Sequence, residues 1–505
     1  MTHFLEKENT LSFKFPKNLL LKELLCHFLN PFYKEKKLNI SRENFTGNLL
    51  VIGLGSIAKG VIPLFLRHLT ITPDRIKVIS ANADEEKIAQ MYGVAHQQIS
   101  LTEENYRSIL DANLKKGDFL VNLSVGVSSL ALMVLCREKN VLYIDTSIEP
   151  WEGGYTKETA TISERSNYIL REHALALGRE AEKAPTAIVC QGANPGMVSG
   201  FLKQALLNMA ADNGINADPV TREDWAKLAQ QLDIRTIHVA ERDTQNVAIY
   251  KPRDTFINTW SIDGFIGEGL QPSELGWGTH EKHWPRDAVR HESGCQSAIM
   301  LACPGSSVRV RSWTPLEGAY LGFLITHNES ISIADYLTVR EGDKVVYRPT
   351  VHYAYHPCDD AILSLHELAG KNWREQKRKI LIRDEINQGM DELGVLLMGN
   401  KKGVYWYGSR LSISEARKLV PYNNATSLQV AAGVLAGVIY AIRNPEESII
   451  EPDDMDHNVM LEIAAPYLGE VVGEYGDWTP LVGRNWPFKE DLDESDPWQF
   501  KNIRV

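Results

Sequence analysis

The sequence predicts an α/β protein in which a doubly wound parallel sheet carries an inserted mixed α/β domain built on a largely antiparallel sheet. Three observations predict it. A short apolar run, Leu49–Ile52, passes straight into a glycine-rich turn and a helix. Strand-like and helix-like segments then alternate as far as Cys190, the pattern of a parallel sheet covered by crossover helices. From about Thr236 to Tyr407 the apolar runs are separated by turn residues with less regular helix between them, as antiparallel strands require.

The elements follow in order. Leu49–Ile52 is apolar throughout, so it reads as a strand buried on both faces. It leads through Gly53–Gly60 into a helix ending near Leu69. Ile76–Ser80 is a second strand, followed by a helix over Glu85–Met91. Asp118–Leu123 is a third, and Ser128 N-caps a helix reaching about Lys139. Val141–Asp145 is a fourth, and Thr186–Cys190 another beyond a long helix. In the second half Val308–Val310, Tyr320–Ile325 and Lys344–Tyr347 read as strands. Ser427–Ile442 is a helix apolar on most faces, hence buried. It is shorter than the ~20 residues of a membrane span.

These elements divide the chain into an extension (1–46), a Rossmann domain (47–191), a mixed α/β domain (192–420) and a C-terminal segment (421–505) that returns to the Rossmann domain. In the extension, Asn18–Leu29 reads as one short amphipathic helix ended by Pro31, with a basic stretch at Lys34, Lys36 and Lys37.

The chain has 505 residues, enough for several domains at ~100–200 residues each. Hydrophobic residues make up 44% and charged residues 24%, which excludes a mostly disordered chain. Sixty-five acids against 54 bases give a net charge of −11, a poor match to nucleic acid. The six cysteines are scattered with no C-x-x-C pair, as expected of free thiols in a reducing compartment. No secretory signal is expected, because Glu6 and Glu8 come early and Leu19–Leu29 is broken by Lys22, Glu23 and His27. The expected location is the cytoplasm.

Gly53-x-Gly55-x-x-Ala58 lies between a strand and a helix, which is the context that makes a dinucleotide fingerprint informative. Gly53 permits the tight turn, Gly55 lets backbone approach a pyrophosphate, and Ala58 lets helix and strand pack closely. The exposed amides around Ser56 and Ile57 suit phosphate at a helix start, and the Ser56 hydroxyl can add a bond. Ser80, Asn82 and Asp84 follow the second strand. No acid follows it directly, and no arginine stands there to hold a 2′-phosphate, so NAD is expected rather than NADP. Asn122, Ser124 and Val125 end one strand and Asp145, Thr146 and Ser147 another. Ligands of such sheets sit at these carboxyl ends, so all six are expected to line the cofactor crevice.

Several polar residues stand in costly surroundings. Glu149 follows a sheet strand, Asn194 precedes Pro195, and Glu241 ends an apolar strand. Trp260 lies in Asn258–Ser261, Glu268 sits between glycines, and His327 and Glu329 end the run Leu321–Ile325. Each alone has an ordinary reading: a solvated acid, a structural histidine, a core tryptophan. His280, His283, His291 and Cys295 have no standard zinc spacing, so no metal is expected.

Together these segments resemble the bacterial homospermidine synthases of the saccharopine-dehydrogenase-like superfamily, from about Asn48 to Leu481. The resemblance is carried by residues 53–60, Asp-Thr-Ser-Ile-Glu-Pro-Trp at 145–151, Ala-Asn-Pro-Gly-Met-Val at 193–198 and His-Val-Ala-Glu-Arg-Asp-Thr-Gln at 238–245. Asn-Thr-Trp-Ser at 258–261, Leu-Gln-Pro-Ser-Glu-Leu-Gly-Trp-Gly-Thr-His-Glu at 270–281 and Ile-Thr-His-Asn-Glu at 325–329 complete it. Ala58 departs from the glycine usual in that family, a change the motif tolerates.

The resemblance implies a homodimer that joins two putrescines, or spermidine and putrescine, through imines with NAD recycled. It implies that Glu241 and Glu268 bind ammonium groups and stabilise charge, that His327 transfers protons, and that Trp260 offers a cation–π face. Glu329 would orient His327 or bind an amine, and Glu149 and Asn194 would fix the inner amine near the nicotinamide. Hydride leaves only carbon bearing a neutral amine, and carboxylates raise an amine's pKa. The inner amine is therefore expected to meet fewer acids than the outer one. Two other readings stand beside this one. A saccharopine or carboxynorspermidine type of dehydrogenase would need arginine clamps for substrate carboxylates, and a non-catalytic NAD-binding protein would not need the acid–Trp–His set.

Overall fold

The computed structural model describes residues 42–505 apart from 83, 84 and 182. The expected helix over Asn18–Leu29, the lysine stretch after it and Asp84 lie outside the described residues.

Six strands of the first half are β1 (Leu49–Ile52), β2 (Ile76–Ser80), β3 (Ala95–Gln98), β4 (Phe119–Asn122), β5 (Leu142–Asp145) and β6 (Ala187–Ile188). With Ile449–Ile450 from the far end of the chain they make a seven-stranded parallel sheet. Its order is Ile449–Ile450, β6, β5, β4, β1, β2, β3. The chain reverses direction across the sheet between β1 and β4, the place where doubly wound sheets open a ligand crevice. β3 escapes an apolar criterion because Ala-His-Gln-Gln is polar; it is an edge strand held by β2 alone.

Helix α1 (Ser56–His68) buries Ala58, Val61, Ile62 and Phe65 while carrying Pro63 in its interior. A proline there removes the amide that would bond the carbonyl of Lys59. The Tyr92 hydroxyl donates to that carbonyl instead, at 3.0 Å, so the group is not left unpaired. Ser128 caps α2 (Ser129–Lys139) as expected, accepting from the Ala131 amide. Ser166 does the same for α3 (Asn167–Arg179). Arg42 donates to the carbonyls at the end of α1, and Phe45 packs at 6.4 Å from the Phe119 ring.

After α4 (Met197–Asp212) the chain builds a ten-stranded sheet. Its inner strands include β7 (Thr236–Asp243), β8 (Pro272–Gly276), β9 (Thr350–His356), β10 (Met390–Met398) and β11 (Val404–Ser412). It is antiparallel apart from β7 and β9, which run in parallel with Glu241 opposite Tyr355. Helix α5 (Ile262–Leu270) precedes β8, and α6 (Asn328–Tyr336) packs on β8 and β9.

Helix α7 (Ala425–Arg443) returns to lie against α1. It has 19 residues, longer than expected and apolar enough to cross a bilayer, but 89% of its most apolar window is buried inside the protein. Gly433 is required by close approach: a Cβ there would stand 2.0 Å from the Gly192 carbonyl oxygen. The Gln191 side chain donates to the Gly433 carbonyl at 2.9 Å. The helix thus clamps the turn that carries Asn194. One apolar core runs from Val61 and Phe65 through Leu428 and Leu435 to Val239 and Leu397.

Candidate active site

The carboxyl ends of β1 and β4 are in register, Ile52 opposite Asn122. Gly53 leaves β1 with φ +87°, and a Cβ there would meet the Leu123 carbonyl oxygen at 2.8 Å. Gly55 is exposed, and a Cβ on it would meet nothing within 4 Å, so its backbone faces open space. It stands at the N-cap of α1 with no side-chain capping bond. The first-turn amides of Ser56, Ile57 and Ala58 are therefore presented as a helix start presents them to phosphate. Ala58 is fully buried and sits where close packing is needed. These residues fit a dinucleotide.

The strand-end residues divide. Ser124, Thr146 and Ser147 are partly exposed and Val125 is exposed, at the mouth of the crevice. Asn122 is buried and accepts the Ser124 hydroxyl at 2.6 Å, shaping the turn. Asp145 departs from expectation. It is 1% exposed, with one oxygen accepting from the Tyr143 hydroxyl at 2.8 Å and the other from the Cys190 amide at 2.6 Å. Burial pushes its carboxyl up to about 6. One oxygen is used within β5 and the other joins β5 to the segment before Asn194, so Asp145 supports the crevice from behind. Ser80 likewise bonds His96 at 2.8 Å.

The remaining predicted residues converge from five segments. His327, at the N-cap of α6, lies between two glutamates. Its Nδ1 is 3.0 Å from Glu329 on α6, and its Nε2 is 3.2 Å from Glu268 on α5. Its ring lies 4.2 Å from that of Tyr353 on β9. The Tyr353 hydroxyl donates to Glu241 at the end of β7, and Asn194 donates to the same oxygen at 2.6 Å. Tyr353 stacks on Tyr355 at 5.0 Å, and Tyr355 accepts from the Trp260 indole N–H at 2.9 Å. Glu149 is held by the Ser129 hydroxyl at its amide and by Ser147 at 3.4 Å. Its Oε2 is buried without a partner.

The electrostatics are those of a cage for positive charge. Burial pushes the Glu149 carboxyl up to about 8, with the charge of Glu268 adding to it. Burial pushes Glu241 up to about 7, although Tyr353 and Asn194 hold it down. Burial opposes charge on His327, but Glu329 and Glu268 outweigh it and push its pKa up to about 10. The imidazole therefore stays charged at neutral pH, above the range expected for a free proton carrier. Among the described residues no lysine or arginine pairs with Glu149, Glu241, Glu268 or Glu329.

Sequence reasoning missed Tyr353, Tyr355, Asp243 and Asp391. Burial raises both aspartates, Asp243 to about 6. The neighbouring charges of Glu241 and Asp243 add to the effect of burial on Asp391, which accepts the Thr426 hydroxyl at 2.5 Å. Asp243 accepts from Gln245 and from Thr259 at 2.9 Å. The alternation of Tyr353 and Tyr355 puts both on one face of a strand, a signal present in the sequence. Asp391 carries none, because only strand pairing brings it beside β7. The four weighed as zinc ligands go to separate neighbours: His283 to Asp493, His280 to the Trp498 carbonyl, His291 onto the Tyr168 ring and Cys295 to Ser297.

Comparison with known proteins agrees along the chain. Residues 49–189 match the family model for the saccharopine dehydrogenase NADP binding domain, and residues 192–477 that for the saccharopine dehydrogenase C-terminal domain. Homospermidine synthase of Blastochloris viridis is 53% identical over 464 residues, 91% of this chain and 97% of that protein. Homospermidine synthase of Mesorhizobium japonicum is 50% identical over 468 residues, 91% of this chain and 96% of that one. The crystal structure of homospermidine synthase from Legionella pneumophila in complex with NAD aligns with a TM-score of 0.87 and 49% identity. It covers 92% of this chain and 99% of that one.

Proposed function

The chain belongs to the homospermidine synthases of the saccharopine dehydrogenase family, and on that premise we propose that it condenses two putrescines to homospermidine. Ammonia is released; with spermidine as donor, 1,3-diaminopropane leaves instead. Bound NAD supplies a hydride acceptor that is regenerated within each turnover. Gly53, Gly55, Ser56, Ile57 and Ala58 hold its pyrophosphate, and Ser124, Val125, Thr146 and Ser147 border the rest.

The observation that carries this reading is the cage itself: Glu149, Glu241, Glu268 and Glu329 surround aromatic faces with no arginine or lysine paired to them among the described residues. A saccharopine-type substrate carries carboxylates and needs guanidinium clamps. A diamine is a flexible dication and needs this arrangement. Trp260 presents its face to an ammonium or iminium, a contact worth ~0.5–2 kcal/mol. Glu268 and Glu241 take the ammonium charges.

An ammonium bound to Glu268 competes with His327 for that carboxylate. It weakens one of the two charges that keep the imidazole protonated, and so returns His327 toward the range where it exchanges protons. His327 then takes a proton from the attacking amine as that amine adds to the imine carbon, and returns it to the departing nitrogen as ammonia leaves. Glu149 holds the inner amine through its free Oε2, together with the amide of Asn194. Its carboxyl, reluctant to ionise, fixes that amine with less charge than a solvated carboxylate would, which favours the neutral amine that hydride loss requires.

The test is a product assay with putrescine and sub-stoichiometric NAD. Homospermidine in many-fold excess over NAD, with equimolar ammonia, is expected. Accumulation of NADH without a new polyamine would replace this reading with a simple dehydrogenase.

A further inference from the structure

Behind the His327–Glu268 pair lies a second polar cluster, fully enclosed and built from both parts of the molecule. Its centre is Glu274 on β8, which is 0% exposed. One carboxylate oxygen accepts from the Asn167 amide at 2.8 Å and from the Thr326 hydroxyl at 2.6 Å. The other accepts from the Tyr168 amide at 3.2 Å and lies 3.8 Å from His291 Nε2. Asn167 and Tyr168 are the first residues of α3, so a carboxylate from the second sheet satisfies two amides that a helix start leaves unpaired. The Asn167 side chain closes the cluster, donating to Thr326 at 3.3 Å and accepting from Gln271 at 3.2 Å.

The sequence positions of these partners give the cluster its meaning. Thr326 is the residue before His327. Gln271 lies three residues beyond Glu268, at the C-cap of α5. The two backbones that carry the His327–Glu268 contact are therefore gripped, one step behind the side chains that make it, by groups bonded to each other and to α3. We propose that Glu274 is a positioning residue of the reaction: through Thr326, Asn167 and Gln271 it sets the separation of His327 from Glu268 and ties that separation to the nucleotide-binding part at the start of α3. Glu274 touches neither substrate nor cofactor in this account and acts through Thr326. A buried carboxylate in this place also has a purely structural reading, as a helix cap between two sheets, and the two readings predict different data. The inference rests on the reaction proposed above for His327.

The test uses full-length protein loaded with NAD and compares Glu274→Gln, Thr326→Val and Thr326→Ser. Three readouts are taken: kcat and KM for putrescine, the pH profile of kcat, and the titration of the His327 imidazole by NMR, its signal identified by loss in His327→Asn. The groups facing that imidazole are Glu268, Glu329 and Tyr353. Glu274→Gln and Thr326→Val are expected to lower kcat at least about tenfold with KM changed less, since small misplacements of a catalytic group are costly. Both should move the imidazole titration to lower pH by loosening the Glu268 contact, and Thr326→Ser, which keeps the donor, should restore both properties. A lowered melting temperature with kcat per folded molecule and the imidazole titration unchanged would overturn the proposal. If Glu274→Gln does not fold, the Thr326 pair decides alone. A wild-type protein that makes no homospermidine would sink the reaction assigned above, while the imidazole titration would still decide whether Glu274 positions His327.

Discussion

The imidazole of His327 lies 3.2 Å from Glu268, although the two residues reach that point from different helices and are separated by 59 positions in the chain. The contact sets both the charge of the histidine and the place where a substrate ammonium must compete.

Glu268→Gln keeps the side-chain shape and removes the charge. KM for putrescine is expected to rise at least about tenfold, the scale of a charge-assisted hydrogen bond. His327 loses one of the two charges that hold its pKa near 10, so its proton should leave at lower pH. Steady-state kinetics across pH 6–10 would show both effects together, and an unchanged KM would remove Glu268 from the binding site.

Trp260→Ala removes a ring face and the N–H bonded to Tyr355. A cation–π contact of ~0.5–2 kcal/mol corresponds to a loss of affinity of about two- to thirtyfold. Trp260→Phe should recover part of it, because a face remains. Calorimetric titration of NAD-loaded protein with putrescine separates the two variants. Equal affinities for Ala and Phe would show that the face is not what binds.

Gly433→Ala should act at a distance. The added methyl meets the Gly192 carbonyl, and overpacking of this kind costs about 1–3 kcal/mol. The displaced turn carries Asn194, so the Asn194–Glu241 bond should lengthen. A lower melting temperature together with a raised KM is expected. A loss of stability with KM intact would uncouple α7 from the site.

Stability without substrate should fall as pH rises from about 6.5 to about 8.5. Glu149, Glu241 and Glu274 have folded-state pKa values raised by burial to about 8, 7 and 7, above their unfolded values. The folded protein therefore binds more protons than the unfolded chain through this window, and stability is lost as pH climbs. Below it, the buried histidines His238, His291 and His352, whose pKa values burial lowers, act in the opposite sense. Putrescine should raise the melting temperature more at pH 8.5 than at pH 6.5, since it supplies the missing cations. Thermal unfolding with and without putrescine at the two values checks the sign.

Much of this protein was legible in its residues. Gly53 and Gly55 after an apolar strand announce a nucleotide crevice because their backbone requirement is local. The seven residues Glu149, Asn194, Glu241, Trp260, Glu268, His327 and Glu329 stand out as a set through the resemblance, since each alone has an ordinary reading. Local rules could not show that they meet. The sequence by itself determined five of the seven strands of the first sheet and the buried helix near the C-terminus, since periodicity and turn chemistry act over a few residues, while the resemblance supplied the residues able to hold a diamine. Only the tertiary structure decided that Asp145 is locked by Tyr143 and Cys190, and that Asp391 faces Glu241. It alone brought Tyr353 to bridge Glu241 and His327, and Glu274 to stand behind them. Those relations depend on parallel pairing of β7 with β9 and on the approach of α3 to β8. Hydrogen-bond and charge energies are set by distances of a few ångströms between segments that the chain leaves a hundred residues apart.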